Sequence, residues 1–403
     1  MSVETKVFEL VSEDPLRGER RTVNFGPQHP ATHGVLRIVL TLDGETVVAA
    51  DPVVGYLHRG KEKTAESLGW HRFFPHTDRL DYTQSIGNNV AYALAVEALM
   101  GLEVPPRGQA IRVILAELSR IGAHLIFVGT TAIDLGAVSV FFLSFRERER
   151  IYDVFDRMVG HRMNPEAIRF GGVIADLDEE AVAGIRELVR DFPARFDELE
   201  SLLTRNPIWI SRTRDVGTIS AERAVALSLT GPNLRGSGVR FDLRKSLPYL
   251  GYERYDFEVP VGARGDAYDR YLVRVEEMRQ SLRIVEQALE GLPEGEVFAE
   301  DRRYVLPPKV RALTSMEELI HQFKVVTDLR VPRGEVYRAV EAPKGELGFY
   351  LVSKGEIAPH RCHIRSPSFI NLQALAPMAV GRRLSDLVAI TSSLDFVMGE
   401  VDR

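Results

Sequence analysis

The apolar positions of this chain follow two periodicities, and each marks a different stretch. Val35 to Leu42 and Glu45 to Val53 are β-branched runs that meet at Asp43-Gly44, a dipeptide suited to a tight turn, so an antiparallel hairpin is predicted there. From about residue 61 the spacing changes to three and four. Ile111, Ile114, Leu115, Leu118, Ile121 and Leu125 form one core-facing stripe. Similar patterns predict helices over 77–101, 145–163, 178–205 and 265–290, the last ending before Gly291. Glu346 to Val352 and Ile357 to Ile364 read as a second hairpin around Lys354-Gly355, while 291–311 and 331–346 carry the Pro, Gly and charge of connectors. The expected fold is mainly α with small antiparallel β subdomains, an α+β protein around a bundle of long helices. Its expected divisions are an N-terminal extension over 1–20, a β subdomain over 21–60, a helical core over 61–330 and a C-terminal α+β segment over 331–403.

Some stretches interrupt these patterns. Residues 121–145 are long and apolar enough to invite a membrane reading, but Asp134 and glycines at 129 and 136 favour a buried helix with a turn near Gly129. A carboxylate in that setting is expected to be desolvated and to find a partner or a proton; helix capping is the competing account. GPQHPATHG, residues 26–34, is too rich in Pro and Gly for a helix and predicts a stiff loop. Pro30 removes the helical meaning of the His29/His33 spacing, so one imidazole serving proton transfer weighs against both merely bonding the loop to itself. In HTDRLDYTQS, Asp78 and Asp81 suit helix-start caps, and Tyr82, if buried with its hydroxyl free, is a neutral donor to a carbonyl oxygen. Glu117, Arg120 and His124 share a stripe and predict a buried ion-pair network. GPNLRGSG, residues 231–238, lacks the order of a phosphate-binding loop, so no nucleotide is expected.

Composition narrows the function. The chain has 403 residues and one cysteine, Cys362, which excludes an internal disulfide and any cysteine-rich metal site built by this chain alone. Fifty-one Lys and Arg against 57 Asp and Glu leave a net charge of −6, which argues against a nucleic-acid partner. The first twenty residues lack the pattern of a signal peptide, so a cytoplasmic location is expected.

At this point the motifs form an ordered set: GPQHPATHG (26–34), GYLHRGKEK (55–63), RLDY (79–82), IRVILAELSRIGAHL (111–125), DLGA (134–137), FFLSFRERE (141–149), LRGSGVRFDLRKSLPY (234–249), RGEVY (333–337), KGELGFY (344–350) and the terminal SLDFVMGEVDR. Together they resemble the 49-kDa subunit of respiratory complex I, colinearly over residues 22–403. That family is similar in fold to the large subunit of nickel-iron hydrogenases, whose nickel is held by two C-x-x-C pairs. The positions that look equivalent are Asp81, Gln84, Val397 and Glu400, none of them a thiolate, so cysteine-bound nickel is excluded by residue type.

The resemblance implies that the former metal cavity serves as a ubiquinone or menaquinone head-group site, with quinone as substrate and no covalently held cofactor. It lies beside the terminal [4Fe-4S] cluster of a small iron-sulfur partner subunit. In the family, the residues matching His33 and Tyr82 hydrogen-bond the two quinone oxygens, and the residue matching Asp134 communicates with that histidine. Arg59 matches an arginine near the partner's cluster. Asn164 stands where many members carry a histidine, so titration of that group is expected to be absent unless His161 substitutes for it. Implied partners are the small iron-sulfur subunit, a 30-kDa-type subunit, and further peripheral-arm and membrane-arm subunits. The expected function is the quinone site of a proton-pumping NADH:quinone oxidoreductase, peripheral on the cytoplasmic side of a bacterial membrane. The alternative is a non-catalytic hydrogenase-like scaffold subunit of a related redox complex. Cys362, in a predicted strand, reads as a small buried hydrophobe.

Overall fold

The computed structural model describes residues 8–11 and 20–403, so most of the expected extension over 1–20 lies outside the described residues. Strands β1 (Phe8–Val11), β2 (Arg20–Phe25), β3 (Arg37–Asp43) and β4 (Thr46–Val53) form an antiparallel sheet in that order. The predicted hairpin closes at Asp43-Gly44, with Asp43 opposite Thr46. Ile38, Leu40 and Leu42 alternate inward as a one-sided sheet requires. Their partners come from the far end of the chain: Leu372, Leu375, Met378, Leu387, Ile390 and Phe396 belong to the same core cluster.

The helical core contains α1 (Lys61–Leu68), α2 (Ser85–Met100), α3 (Pro106–Asp134), α4 (Val138–Val159), α5 (Glu179–Leu203), α6 (Ala267–Glu290) and α7 (Met316–Asp328). Helix α3 packs along α4 and α6, and its stripe from Ile111 to Leu125 is wholly buried. At 29 residues it is about 44 Å long, at roughly 1.5 Å per residue. Among the described residues no helix is long and apolar enough to cross a membrane.

Four sequence expectations need correction. Gly129 makes no turn: a Cβ there would stand 3.2 Å from Ser144 Cβ and 3.4 Å from Phe141 Cα, so the glycine lets α3 and α4 approach closely. The chain turns instead at Gly136, whose φ of +94° suits a residue without Cβ. Helix α4 correspondingly begins at Val138 and stops at Val159. The helix expected over 77–101 starts only at Ser85, because the preceding backbone is held by tertiary bonds: Asn88 Nδ2 donates to Asp81 O at 2.9 Å and Asn89 Nδ2 to Thr77 Oγ1 at 2.8 Å. The C-terminal sheet is β5 (Gly334–Ala342), β6 (Gly345–Ser353) and β7 (Arg361–Arg365): the predicted hairpin around Lys354-Gly355 is present as β6 and β7, with Leu351 opposite Cys362, but part of the expected connector over 331–346 is a third strand, β5, which turns into β6 at Pro343-Lys344. Strand β5 read as a connector because it is an edge strand whose first residues are mostly exposed, where charge is normal. Cys362 is fully buried in β7. Helices α8 (Leu384–Leu394) and α9 (Met398–Val401) end the chain, α8 lying against α3 and α6.

A charged network fills the space where α3 and α6 meet. Glu277 pairs with Arg120 at 3.2 Å, Arg235 at 2.9 Å and Arg244 at 3.2 Å, and Glu117 pairs with Arg120 at 3.1 Å and Arg244 at 3.1 Å. Burial pushes Glu277 upward, but Arg235, His124 and Arg120 outweigh it and hold the carboxyl well below its usual range. His124 lies 3.5 Å from Glu277, and burial lowers it to about 4, so it stands neutral. Removing one partner from such a cluster strands the others without compensation. Glu277→Ala is expected to cost about 3–5 kcal/mol, seen as a large fall in thermal midpoint or as failure of the chain to accumulate; an unchanged midpoint contradicts it.

Candidate functional site

The 26–34 loop uses its two histidines differently. His29 Nδ1 accepts the Ala31 N–H at 3.2 Å, its ring lies 4.3 Å from Phe25, and Thr32 Oγ1 donates to Pro27 O at 3.0 Å and His29 O at 2.9 Å. His29 therefore holds the loop. His33 is turned away in a left-handed conformation, φ +55°, with its ring 5.1 Å from that of Phe396. It is exposed to solvent although protein crowds it. That crowding lowers its pKa, with Asp395 opposing, Lys344 reinforcing and Asp134 opposing.

Tyr82 lies in the turn before α2. Asp81 Oδ1 accepts the Thr83 N–H at 3.0 Å and the Thr83 hydroxyl at 2.6 Å, an Asx-type turn that holds Tyr82 half-buried beside the buried Asp81. Asp78 and Asp81 thus do not cap α2, whose N-terminus carries no side-chain cap. Burial, then the Asp81 charge, raises the Tyr82 phenol above its usual pKa, so it stands neutral. Among the described residues its hydroxyl has no hydrogen-bond partner.

The chain's last helix completes the site. A Cβ on Gly399 would fall 2.7 Å from Leu80 O and 2.9 Å from Arg79 O, so α9 sits flush against the Tyr82 turn as only a glycine allows. Lys61 Nζ bonds Arg79 O and Gly399 O, pinning the two segments together. Asp81 and Glu400 are thereby close enough for their charges to interact. Burial, then the Asp81 charge, pushes Glu400 up to about 8. Burial also raises Asp81, against Lys344 and the two Thr83 bonds. Of the two, Asp81 is held more firmly in its ionised form, with Lys344 and two Thr83 bonds at 3.0 and 2.6 Å opposing its burial, so the pair favours a proton on Glu400.

Asp134 is the last residue of α3 and is half-buried rather than desolvated. It does not cap the start of a helix; its Oδ2 accepts the Ser392 hydroxyl at 2.6 Å, and its charge acts on His33. No hydrogen bond or ring contact among the described residues joins His33 to Tyr82. What links them is a set of charges absent from the sequence expectation: Lys344 Nζ meets Asp395 Oδ1 at 2.6 Å, and Arg274 Nε meets Asp395 Oδ2 at 3.3 Å. The one local signal was polarity out of place, a lysine in a buried hairpin turn and an aspartate after an apolar helix.

The remaining expected residues share no bond with His33 or Tyr82 among the described residues. Arg59 is exposed in the stretch joining β4 to α1, and its charge helps depress Lys61, which burial lowers to about 8. Asn164 Oδ1 accepts the Ser85 hydroxyl at 3.1 Å, at the start of α2. His161 is exposed and shares no bond with Asn164.

Fold and site together define a class: an α+β protein that gathers an imidazole, a phenol and a buried proton-bearing carboxylate pair where two distant chain segments meet, without a thiolate among them. Residues 134–403 match the model of the respiratory-chain NADH dehydrogenase 49 Kd subunit family. Relatives named as one and the same NADH-quinone oxidoreductase subunit are 54% identical in Methylacidiphilum infernorum, covering 96% of this chain and 93% of the relative, and 51% in Geotalea uraniireducens, covering 96% and 99%. The relative of the same name in Akkermansia muciniphila is 50% identical over the full length of both. The chain belongs to this family of NADH-quinone oxidoreductase subunits.

The Glu400 proton has a measurable consequence. A carboxyl raised from 4.5 to about 8 binds a proton in the folded state that the unfolded chain has lost, so its contribution to stability falls as pH rises through that interval. Glu400→Gln removes this slope. Its thermal midpoint is expected to gain on wild type steadily with rising pH, and parallel curves for the two proteins overturn the assignment.

Proposed function

We propose that this chain forms the quinone head-group site in the peripheral arm of a proton-pumping NADH:quinone oxidoreductase and assists reduction of the quinone to quinol. The observation that supports this reading is that Lys344 and Asp395 act both on His33 and on Asp81, the neighbour of Tyr82, so the two candidate donors border one set of buried charges. Reduction of a quinone takes two electrons and two protons, and a donor at each carbonyl stabilises the charge that develops there. Tyr82, neutral and without a protein partner, donates to one oxygen. His33 donates to the other, with Asp134 and Asp395 favouring its protonated form.

The electrons come from a terminal [4Fe-4S] cluster held by a small iron-sulfur partner, and proton movement across the membrane belongs to the membrane-arm subunits. Arg59 and Arg79, both exposed and close enough to act on buried Lys61, supply the positive charge against which such a cluster fits. Large exposed apolar side chains, including Phe142, Val310, Leu313, Met316 and Phe323, fit a chain that is covered by neighbours in an assembly, among them a 30-kDa-type subunit. The absence of a membrane-crossing helix among the described residues is compatible with a peripheral place on the cytoplasmic side.

In the assembled complex, Tyr82→Phe is expected to lower quinone reduction about a hundredfold or more while electron transfer to an artificial acceptor upstream persists. Equal loss in both assays points instead to a scaffold role. Asn164 cannot titrate, so the potential of the partner's terminal cluster is expected to be nearly independent of pH; a steep slope in an EPR redox titration refutes that.

A further inference from the structure

The tip of the β5–β6 hairpin is driven into the protein interior. A Cβ on Gly231 would lie 2.5 Å from Gly345 Cα, and one on Gly345 would lie 2.4 Å from Thr230 Oγ1, so two backbones touch where no side chain fits. Asn371 Nδ2 donates to Lys344 O at 2.8 Å while its Oδ1 accepts the Thr230 N–H at 3.3 Å, tying the tip to the 230–231 segment. The start of GPNLRGSG, which binds no phosphate by pattern, is the seat of this hairpin. It holds Lys344 at 1% exposure, with Nζ 2.6 Å from Asp395 Oδ1.

From that point Lys344 acts on groups of several other elements: His33 of the 26–34 loop, Asp81 of the Tyr82 turn, His124 of α3, Asp395 after α8 and Glu400 of α9. Arg274 of α6 pairs with the second oxygen of Asp395, and Asp134 acts on His33 from the end of α3. Asp81 Oδ2 and Glu400 Oε1 are buried without a hydrogen-bond partner. Asp81 and Glu400 thus face Lys344 at the hairpin tip, while Lys61 of α1, which burial lowers to about 8, acts on Glu400 from beside Gly399 and forms no bond with either carboxylate among the described residues.

We propose that Lys344 is a positioning residue for quinone reduction: clamped at the hairpin tip against Asp395, its ammonium group governs how many protons Asp81 and Glu400 hold before electrons arrive. The inference rests on the quinone-site reading above. A fixed cation favours the charged form of each carboxylate, and its removal lets them take up protons at higher pH.

The test uses the assembled complex with Lys344→Met, Lys344→Arg and, as reference, Tyr82→Phe. Two quantities are followed against pH: the rate of quinone reduction, and the infrared band of protonated carboxyl groups recorded without quinone turnover. Lys344→Met is expected to move the pH limb of the rate upward by about one unit and to keep the carboxyl band to correspondingly higher pH. Lys344→Arg restores both, and electron transfer to an artificial acceptor upstream is retained. Asn371→Ala, which loosens the tip but keeps the charge, shifts both in the same direction by less, and serves if Lys344→Met does not assemble. An unmoved band and rate profile in Lys344→Met, or in Asn371→Ala if that must stand in, overturns the proposal, as does failure of arginine to restore. If Tyr82→Phe is crippled while the Lys344 variants keep the wild-type profile, only the role of Lys344 falls. If Tyr82→Phe reduces quinone normally, the site reading falls with it.

Discussion

Charge buried in a protein interior must be matched there, and this constraint organises the molecule. Glu277 of α6 draws Arg120 of α3 together with Arg235 and Arg244 from the loops between α5 and α6. Arg235 in turn meets Glu341 of β5 at 2.6 Å. Elements far apart in sequence are thereby held in one arrangement, since each charge left unpaired costs several kcal/mol. Apolar packing alone admits many arrangements of long helices; a lattice of fixed charges admits few.

The same logic continues from the core into the site. Arg274 lies on α6 one turn before Glu277, feels its charge, and reaches Asp395, which holds Lys344. Structural charge and site charge are thus one connected system. In the core Glu277 and Glu117 meet arginines in direct ion pairs, whereas among the described residues Asp81 and Glu400 form no ion pair with Lys344 or Lys61, and burial raises both carboxyls. The absence of direct pairing, rather than the absence of cations, sets these two carboxyls apart.

Much of the fold was legible in local pattern. The β3–β4 hairpin, the stripe of α3, the network around Glu117 and Arg120, and the burial of Cys362 all follow from spacing that reports which side faces the core. The misreadings share a physical cause. Gly129 looked like a turn but serves helix contact; β5 looked like a connector because an edge strand tolerates charge; the Tyr82 turn looked like helix because the side chains that hold it open come from α2 itself. In each case a tertiary contact overrode a local preference.

Residue type by itself determined that positions 81, 84, 397 and 400 carry no thiolate and that His33 is an imidazole and Tyr82 a phenol, because these are properties of the side chains. It also determined the family, through the order of motifs. Only the tertiary structure decided that His29 bonds within its loop while His33 does not, that burial raises both Asp81 and Glu400, and that Lys344 lies against Asp395. Those outcomes depend on distance and burial, and the groups that set them come together only when residues 33, 81, 344, 395 and 400 meet in the folded chain.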